Sequence, residues 1–336
     1  MIRKIQLAIL LSLALFGASL SAATLNKGVV TLRDGSKGVV EIVDGKPNAP
    51  VFVLLNGLVY DTHRWDPVTA NLAKTGATVI RSAYAPQPEN LRLLKAGEEP
   101  LYFKKGLELS KMAHDLADVL DSQGISTPVQ LVGLSYGSSV ATEFARLYPS
   151  RVANLVLIAP LVIPLDNYNP GGRSLKIWLD SVRFWENTPC SMYGSINPWL
   201  CVGQNFWYDS LYDYVYGTYL RERVKSIPPG VDEAVYKKAI FHLVRAARDF
   251  DLKLETPRLN NVYMLVAEGD DAPLLVDQAA AWKATRAKER NAFVVFDGAR
   301  HALPDEAPGR TAEVLVEIAS GKTYAKAKVV HVKADH

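Results

Sequence analysis

The sequence predicts an α/β protein, a mostly parallel sheet flanked by helices and interrupted by an inserted, mainly helical segment. Three observations lead there. Continuous apolar runs such as "APVFVLLNG", "PVQLVGLS" and "VANLVLIAPL" suit strands buried on both faces of a sheet. They alternate with amphipathic helical patterns, the rhythm of parallel strands joined by crossover helices. That rhythm breaks near Val162 and resumes after Leu254, and the stretch between is rich in Trp, Tyr and Phe.

The elements follow in order. Residues 1–23 carry a basic start at Arg3 and Lys4, an apolar core, and small residues at Ser19, Ser21, Ala22 and Ala23. This is the layout of a secretory signal peptide, so a cleaved leader and a periplasmic or secreted product are expected. An uncleaved anchor is the alternative, because the apolar run approaches a spanning length. No other stretch is long and apolar enough to span, so the cleaved product is expected to have no stable membrane span. "GVVTLRD" and "GVVEIVDG" read as short strands punctuated by the turn dipeptides Asp34-Gly35 and Asp44-Gly45. "DPVTANLAKTG" reads as a helix with Asp66 as N-cap, Pro67 in the first turn and Gly76 past its end. "ATVIRSAY" is the next strand. "GLELSKMAHDLADVLDSQG" is an amphipathic helix with Leu109, Met112, Ala113, Leu116, Val119 and Leu120 on one face. After the insert come the strand "NVYMLVAEGDD", the helix "VDQAAAWKATRAKE", the strand in "NAFVVFDGARHALPDE" and the helix "RTAEVLVEIASG". The organisation is therefore a leader at 1–23, a core at 24–161 and 255–322, an insert at 162–254, and a basic, solvated tail at 323–336.

Composition narrows the function. With 336 residues, 49% of them hydrophobic, the chain can bury one large core or a core plus a smaller insert. The net charge of +3 comes from scattered lysines and arginines, so there is no nucleic-acid footprint. Cys190 and Cys201 are the only cysteines. In an exported protein they are expected to form a disulfide, with two separate buried thiols as the alternative. No histidine stands at ligand spacing from them, so they make a poor zinc site.

The chemistry gathers around "LVGLSYGSSVATEFARLYP". Gly133-Leu134-Ser135-Tyr136-Gly137 matches Gly-x-Ser-x-Gly, in which the serine occupies a sharp turn between strand and helix. The flanking glycines leave room for backbones to approach. The pattern is informative because of its placement, after an apolar strand and before a helix whose N-terminus favours developing negative charge. A nucleophilic serine needs a base, and the base needs an orienting carboxylate. Both follow in chain order. Asp270 stands after the strand "NVYMLVAEG", with Asp271 as the alternative acid and Glu268 a weaker third. His301 stands in the loop after "NAFVVFDG". His63, His114, His242, His331 and His336 read as surface or packing residues.

With these residues in place the chain resembles an α/β-hydrolase-fold protein with a cap domain. The resemblance covers about residues 28 to 320 and rests on "VFVLLNGLVYDTHRW", "LVGLSYGSSVATEFARLYPSRVANLVLIAP", "VYMLVAEGDD" and "FDGARHALPDE". It implies that Ser135, His301 and Asp270 are nucleophile, base and acid, and that 162–254 is the cap over the pocket. It also implies an oxyanion hole made by the N–H groups of Tyr136 and of Leu58, in the loop after "VFVLLNG". Many members carry His-Gly where this chain has Asn56-Gly57, and Asn can hold the loop through side-chain hydrogen bonds. Arg300, where glycine commonly precedes the histidine, reads as an outward surface residue, with contact to an anionic substrate as the alternative.

The implied reaction is acyl transfer to water with no metal or organic cofactor, on a small-molecule ester or lipid. An aromatic cap suits an apolar acyl or alcohol group, which favours a carboxylesterase or lipase-like enzyme. An aminopeptidase, amidase or acyltransferase is the alternative within the fold. An aminopeptidase would need a cap acid, for which Glu186, Asp180 and Asp209 are available. A ligand-binding protein that keeps the fold without catalysis is the alternative outside enzymes.

Overall fold

The apolar runs become the strands of a single sheet in the computed structural model, which describes residues 24–58, 60–164, 208–213, 227–270, 275–286, 290–321 and 328–335. The expected leader, Cys190, Cys201, Asp271 and most of the expected cap lie outside the described residues. β1 (Leu25–Thr31) and β2 (Lys37–Val43) form an antiparallel hairpin through the Asp34-Gly35 turn. β2 then pairs antiparallel with β4 (Thr78–Ser82). The remaining pairings are parallel and bring in β3 (Val51–Leu55), β5 (Val129–Leu134), β6 (Val152–Ile158), β7 (Val262–Ala267) and β8 (Arg290–Asp297). A further strand, β9 (Val329–Lys333), pairs parallel with β8. The spatial order is β1-β2-β4-β3-β5-β6-β7-β8-β9.

Strand periodicity explains why these runs are apolar throughout. Neighbouring residues on a strand face opposite sides, and here both sides are covered. On one side Val53, Leu55, Leu131, Leu155, Leu157, Met264 and Val266 pack against Leu116 and Leu120 of α2 (Leu109–Ser122), Val140 and Phe144 of α3 (Tyr136–Leu147), and Trp282. On the other, Phe52, Leu54, Val132, Val156, Ile158, Leu265 and Phe296 meet Val68 and Leu72 of α1 (Asp66–Lys74). The C-terminal helix between β8 and β9 adds Leu315 and Ile318 to that side. Each fully buried aliphatic or aromatic side chain stabilises the fold by about 1.5–3 kcal/mol relative to exposure.

Between β6 and β7, α4 (Glu233–Ala246) begins at Asp232, whose side chain accepts from Val235 N–H at 3.0 Å. Tyr236 and Phe241 of α4, with Tyr208, Leu211 and Tyr212, belong to the first core. Among the described residues no helix is long and apolar enough to cross a membrane.

Two sequence expectations change. Asp66 is the first residue of α1 and not its N-cap, a position held by Trp65 at the end of the turn Thr62–Trp65. Its carboxylate pairs instead with Arg81 of β4, which is fully buried and also meets Glu41 of β2 at 2.7 Å. The buried guanidinium demands carboxylate partners more strongly than the helix end demands a cap. The stretch read as a solvated basic tail supplies β9. Only Val332 of that strand is buried, so Lys333 stays in water while the backbone completes the sheet.

Candidate active site

The turn at Ser135 is built by two close approaches. A Cβ added to Gly133 would stand 2.5 Å from the carbonyl oxygen of Gly137. One added to Gly137 would stand 2.6 Å from Leu55 O and collide with Asn56 O. Glycine is thus required on both sides, where β5 passes into α3 and against the end of β3. Between them Ser135 takes φ 50° and ψ −114°, a sparsely populated region that costs on the order of 1–3 kcal/mol. The surroundings hold it there. Its N–H donates to Ile158 O of β6 at 2.8 Å, and its carbonyl accepts from Ser138 N at 3.0 Å and Ser138 Oγ at 2.6 Å. The side chain is left at the carboxyl edge of the sheet, at the N-terminus of α3.

The loops after β7 and β8 deliver the other two groups. Gly269 N–H donates to Ala299 O at 3.0 Å, and Glu268 Oε2 accepts from Gly298 N–H at 3.0 Å, so the two loops are tied together. His301 Nε2 lies 2.9 Å from Ser135 Oγ. Its Nδ1 lies 3.2 Å from each oxygen of Asp270. Side-chain exposure is 27% for His301 and 0% for Asp270, so the imidazole reaches the cleft from a carboxylate shut away from water. Asp270 also accepts from Gln278 Nε2 at 3.3 Å, from the helix Leu275–Ala284 (α5).

The structure therefore brings Ser135, His301 and Asp270 together. Glu268 is exposed and serves Gly298, and Arg300 is exposed as well. Of the other histidines, His242 is buried in α4 and His114 Nδ1 lies 2.6 Å from Tyr148 Oη, while His331 Nδ1 lies 2.8 Å from Asp297. Tyr136 opens α3, where the first N–H groups of a helix have no intrahelical partner. Leu58 follows Gly57, and a Cβ on Gly57 would lie 3.6 Å from Ser135 Cβ. Asn56 Nδ2 donates to Tyr60 O at 3.4 Å across this loop.

Some residues around the site give no local signal in the sequence. Tyr84 and Gln87 stand in the unpatterned stretch after β4, and Gln278 reads as one polar position of a helix. Tyr136 was expected for its backbone only. Its buried ring lies 5.6 Å from that of Tyr84, and its hydroxyl donates to Leu243 O of α4 at 2.9 Å.

A mostly parallel sheet with serine, histidine and buried aspartate meeting at its carboxyl edge defines a class, the α/β-hydrolase fold. The chain belongs to the alpha/beta hydrolase family, whose model matches residues 52–314. A solved bacterial membrane phospholipase A, described as a virulence factor, is similar at 17% identity and TM-score 0.60, covering 95% of this chain and 98% of that one. A thermophilic esterase from Thermogutta terrifontis is similar at 20% identity and TM-score 0.57, covering 89% of this chain and 99% of that one. The enol-lactonase of Burkholderia xenovorans is similar at 18% identity and TM-score 0.57, with coverages of 87% and 100%. At these identities the likeness is one of fold.

Proposed function

We propose that the protein is a serine hydrolase of carboxylic esters, acting on small or lipid-like esters with an apolar acyl or alcohol group. The observation that carries this reading is the relay from Ser135 Oγ through His301 to Asp270. Ser135 Oγ attacks the ester carbonyl carbon while His301 Nε2 takes its proton. Asp270, at Nδ1, orients the ring and stabilises the imidazolium. The N–H groups of Tyr136 and Leu58 stabilise the oxyanion. His301 then gives its proton to the leaving alcohol, and the acyl-enzyme remains. Water, deprotonated by His301, attacks the acyl carbon and restores Ser135. The esterase, phospholipase and lactonase among its structural neighbours are compatible with this reaction class. Of the acids open to an aminopeptidase, Asp209 is paired with Lys237 at 2.7 Å, and Asp180 and Glu186 lie outside the described residues. Among the described residues nothing in the site favours an amine-binding reading.

Export through residues 1–23 and a Cys190–Cys201 disulfide are part of the same proposal. One experiment reads all of it, the intact mass of protein exported from a bacterial host, before and after a fluorophosphonate probe. One adduct is expected, absent in Ser135→Ala and slowed at least about 100-fold in His301→Ala. The mass should lack the leader, and iodoacetamide should add to the cysteines only after reduction. An unlabelled, folded wild-type chain would sink the hydrolase reading. Hydrolysis of aminoacyl amides in preference to esters would move it to the peptidase alternative.

A further inference from the structure

One of the two proposed oxyanion donors, Leu58 N–H, sits in a loop, where no helix or strand ladder aims it. A peptide unit is planar and trans, so the Leu58 N–H points opposite to the Gly57 carbonyl in the same plane. Whatever holds that carbonyl therefore directs the N–H. Tyr84 Oη donates to Gly57 O at 2.8 Å and lies 3.2 Å from Asn56 O. Gln87 Nε2 approaches the same Gly57 carbonyl at 3.5 Å and donates to Tyr60 O, on the far side of the loop, at 3.2 Å.

The clamp is itself well anchored. Tyr84 is 3% exposed and Gln87 0%. Tyr84 N–H donates to Gln87 Oε1 at 3.2 Å, and Gln87 N–H donates to Tyr84 O at 2.9 Å, closing the turn after β4. The neighbouring Ala83 carbonyl accepts from Asn90 Nδ2 at 2.8 Å. Burial, reinforced by Tyr136, raises the Tyr84 phenol well above its ordinary range, so it remains a protonated donor. Its ring packs on Tyr136, the residue that carries the other proposed oxyanion N–H.

We propose that Tyr84, assisted by Gln87, is a positioning residue for the oxyanion hole: its hydroxyl holds the Gly57–Leu58 peptide plane and thereby aims the Leu58 N–H. A carbonyl that accepts a strong hydrogen bond also polarises its peptide and makes the N–H a better donor. The inference rests on the ester-hydrolase reading of Ser135. In that reading Tyr84 touches no reacting atom and acts through the backbone of Leu58.

Tyr84→Phe keeps the ring and removes the donor. The full-length enzyme would be assayed on an ester and on the matching thionoester, whose sulfur is a weak hydrogen-bond acceptor and gains little from the hole. For the ester, kcat is expected to fall about 10- to 100-fold with KM changed less than about twofold, and thionoester turnover is expected to fall far less. A purely structural role would lower both substrates together. Gln87→Met, which leaves the Tyr84 hydroxyl in place, is expected to shift the ester-to-thionoester ratio about two- to fivefold in the same direction. A folded Tyr84→Phe with the wild-type ratio would overturn the inference while leaving the ester-hydrolase reading intact. If Tyr84→Phe does not fold, Gln87→Met decides, and an unchanged ratio overturns it. A wild-type enzyme that neither reacts with fluorophosphonate nor hydrolyses esters would remove both readings at once.

Discussion

Asp270 has a side chain with no exposure to water. A carboxyl group buried there needs hydrogen-bond donors in place of the lost hydration. His301 supplies one donor and Gln278 another, the latter from α5. Gln278 is fully buried, so its amide is held in one orientation and fixes the carboxylate that fixes the imidazole. Gln278→Leu is expected to lower kcat for ester hydrolysis about 10- to 150-fold with KM nearly unchanged, since a hydrogen bond to a charged group is worth about 1.5–3 kcal/mol. Steady-state kinetics check this. A variant with full kcat would assign the support of Asp270 to its other neighbours.

At the scale of elements, α4 connects the segment between β6 and β7 to the site. It accepts the Tyr136 hydroxyl through Leu243 O, and one residue earlier it buries His242 against Phe103, with ring centroids 5.1 Å apart and planes at 17°. Among the described residues neither ring nitrogen of His242 has a hydrogen-bond partner. Burial first, and then the charges of Arg245 and Lys238, hold its pKa down at about 3. In the unfolded chain the ring titrates near its ordinary value of about 6.5. Below that pH the unfolded state binds a proton that the folded state refuses. The stability contributed is therefore complete above the unfolded pKa and is lost as pH falls toward the folded one. Between pH 7 and pH 5 the wild-type chain should lose about 1–2 kcal/mol more unfolding free energy than His242→Phe, whose ring suits the same aromatic surroundings. Urea unfolding at the two pH values reads this, and equal losses would show a ring that is already hydrated or protonated.

For the whole molecule, the sheet places the site and its two edges bound it. β1 closes one edge through an antiparallel hairpin, and β9 closes the other beside β8. The last strand is also pinned by His331 on Asp297 and by Asp335, which accepts from Arg310 N–H at 3.0 Å. A chain ending at residue 327 would expose the backbone of β8, whose side chains Phe293 and Phe296 are core residues. An unpaired hydrophobic edge invites association. The truncated protein is expected to unfold about 3–8 °C lower and to form oligomers. Thermal unfolding and size-exclusion chromatography test both, and an unchanged elution profile and midpoint would show that β9 is dispensable.

Much of this was legible along the chain. The buried strands, the crossover helices, the Gly133–Gly137 turn and the order serine, aspartate, histidine are all local patterns. Each is imposed by the period of a strand or helix or by a glycine where backbones crowd. The sequence by itself determined the fold class and nominated Ser135, Asp270 and His301. Only the tertiary structure decided which groups meet. Ser135 and His301 are separated by 166 residues, and the order of the parallel strands is what brings them to one edge. The same holds for Tyr84 on Gly57, Gln278 on Asp270, and Asp66 turning from a helix cap to Arg81. It also holds for β9, whose exposed, basic side chains resemble a solvated tail until its backbone finds β8. A hydrogen bond between distant residues leaves no periodic trace in the chain, because packing in three dimensions selects its partner.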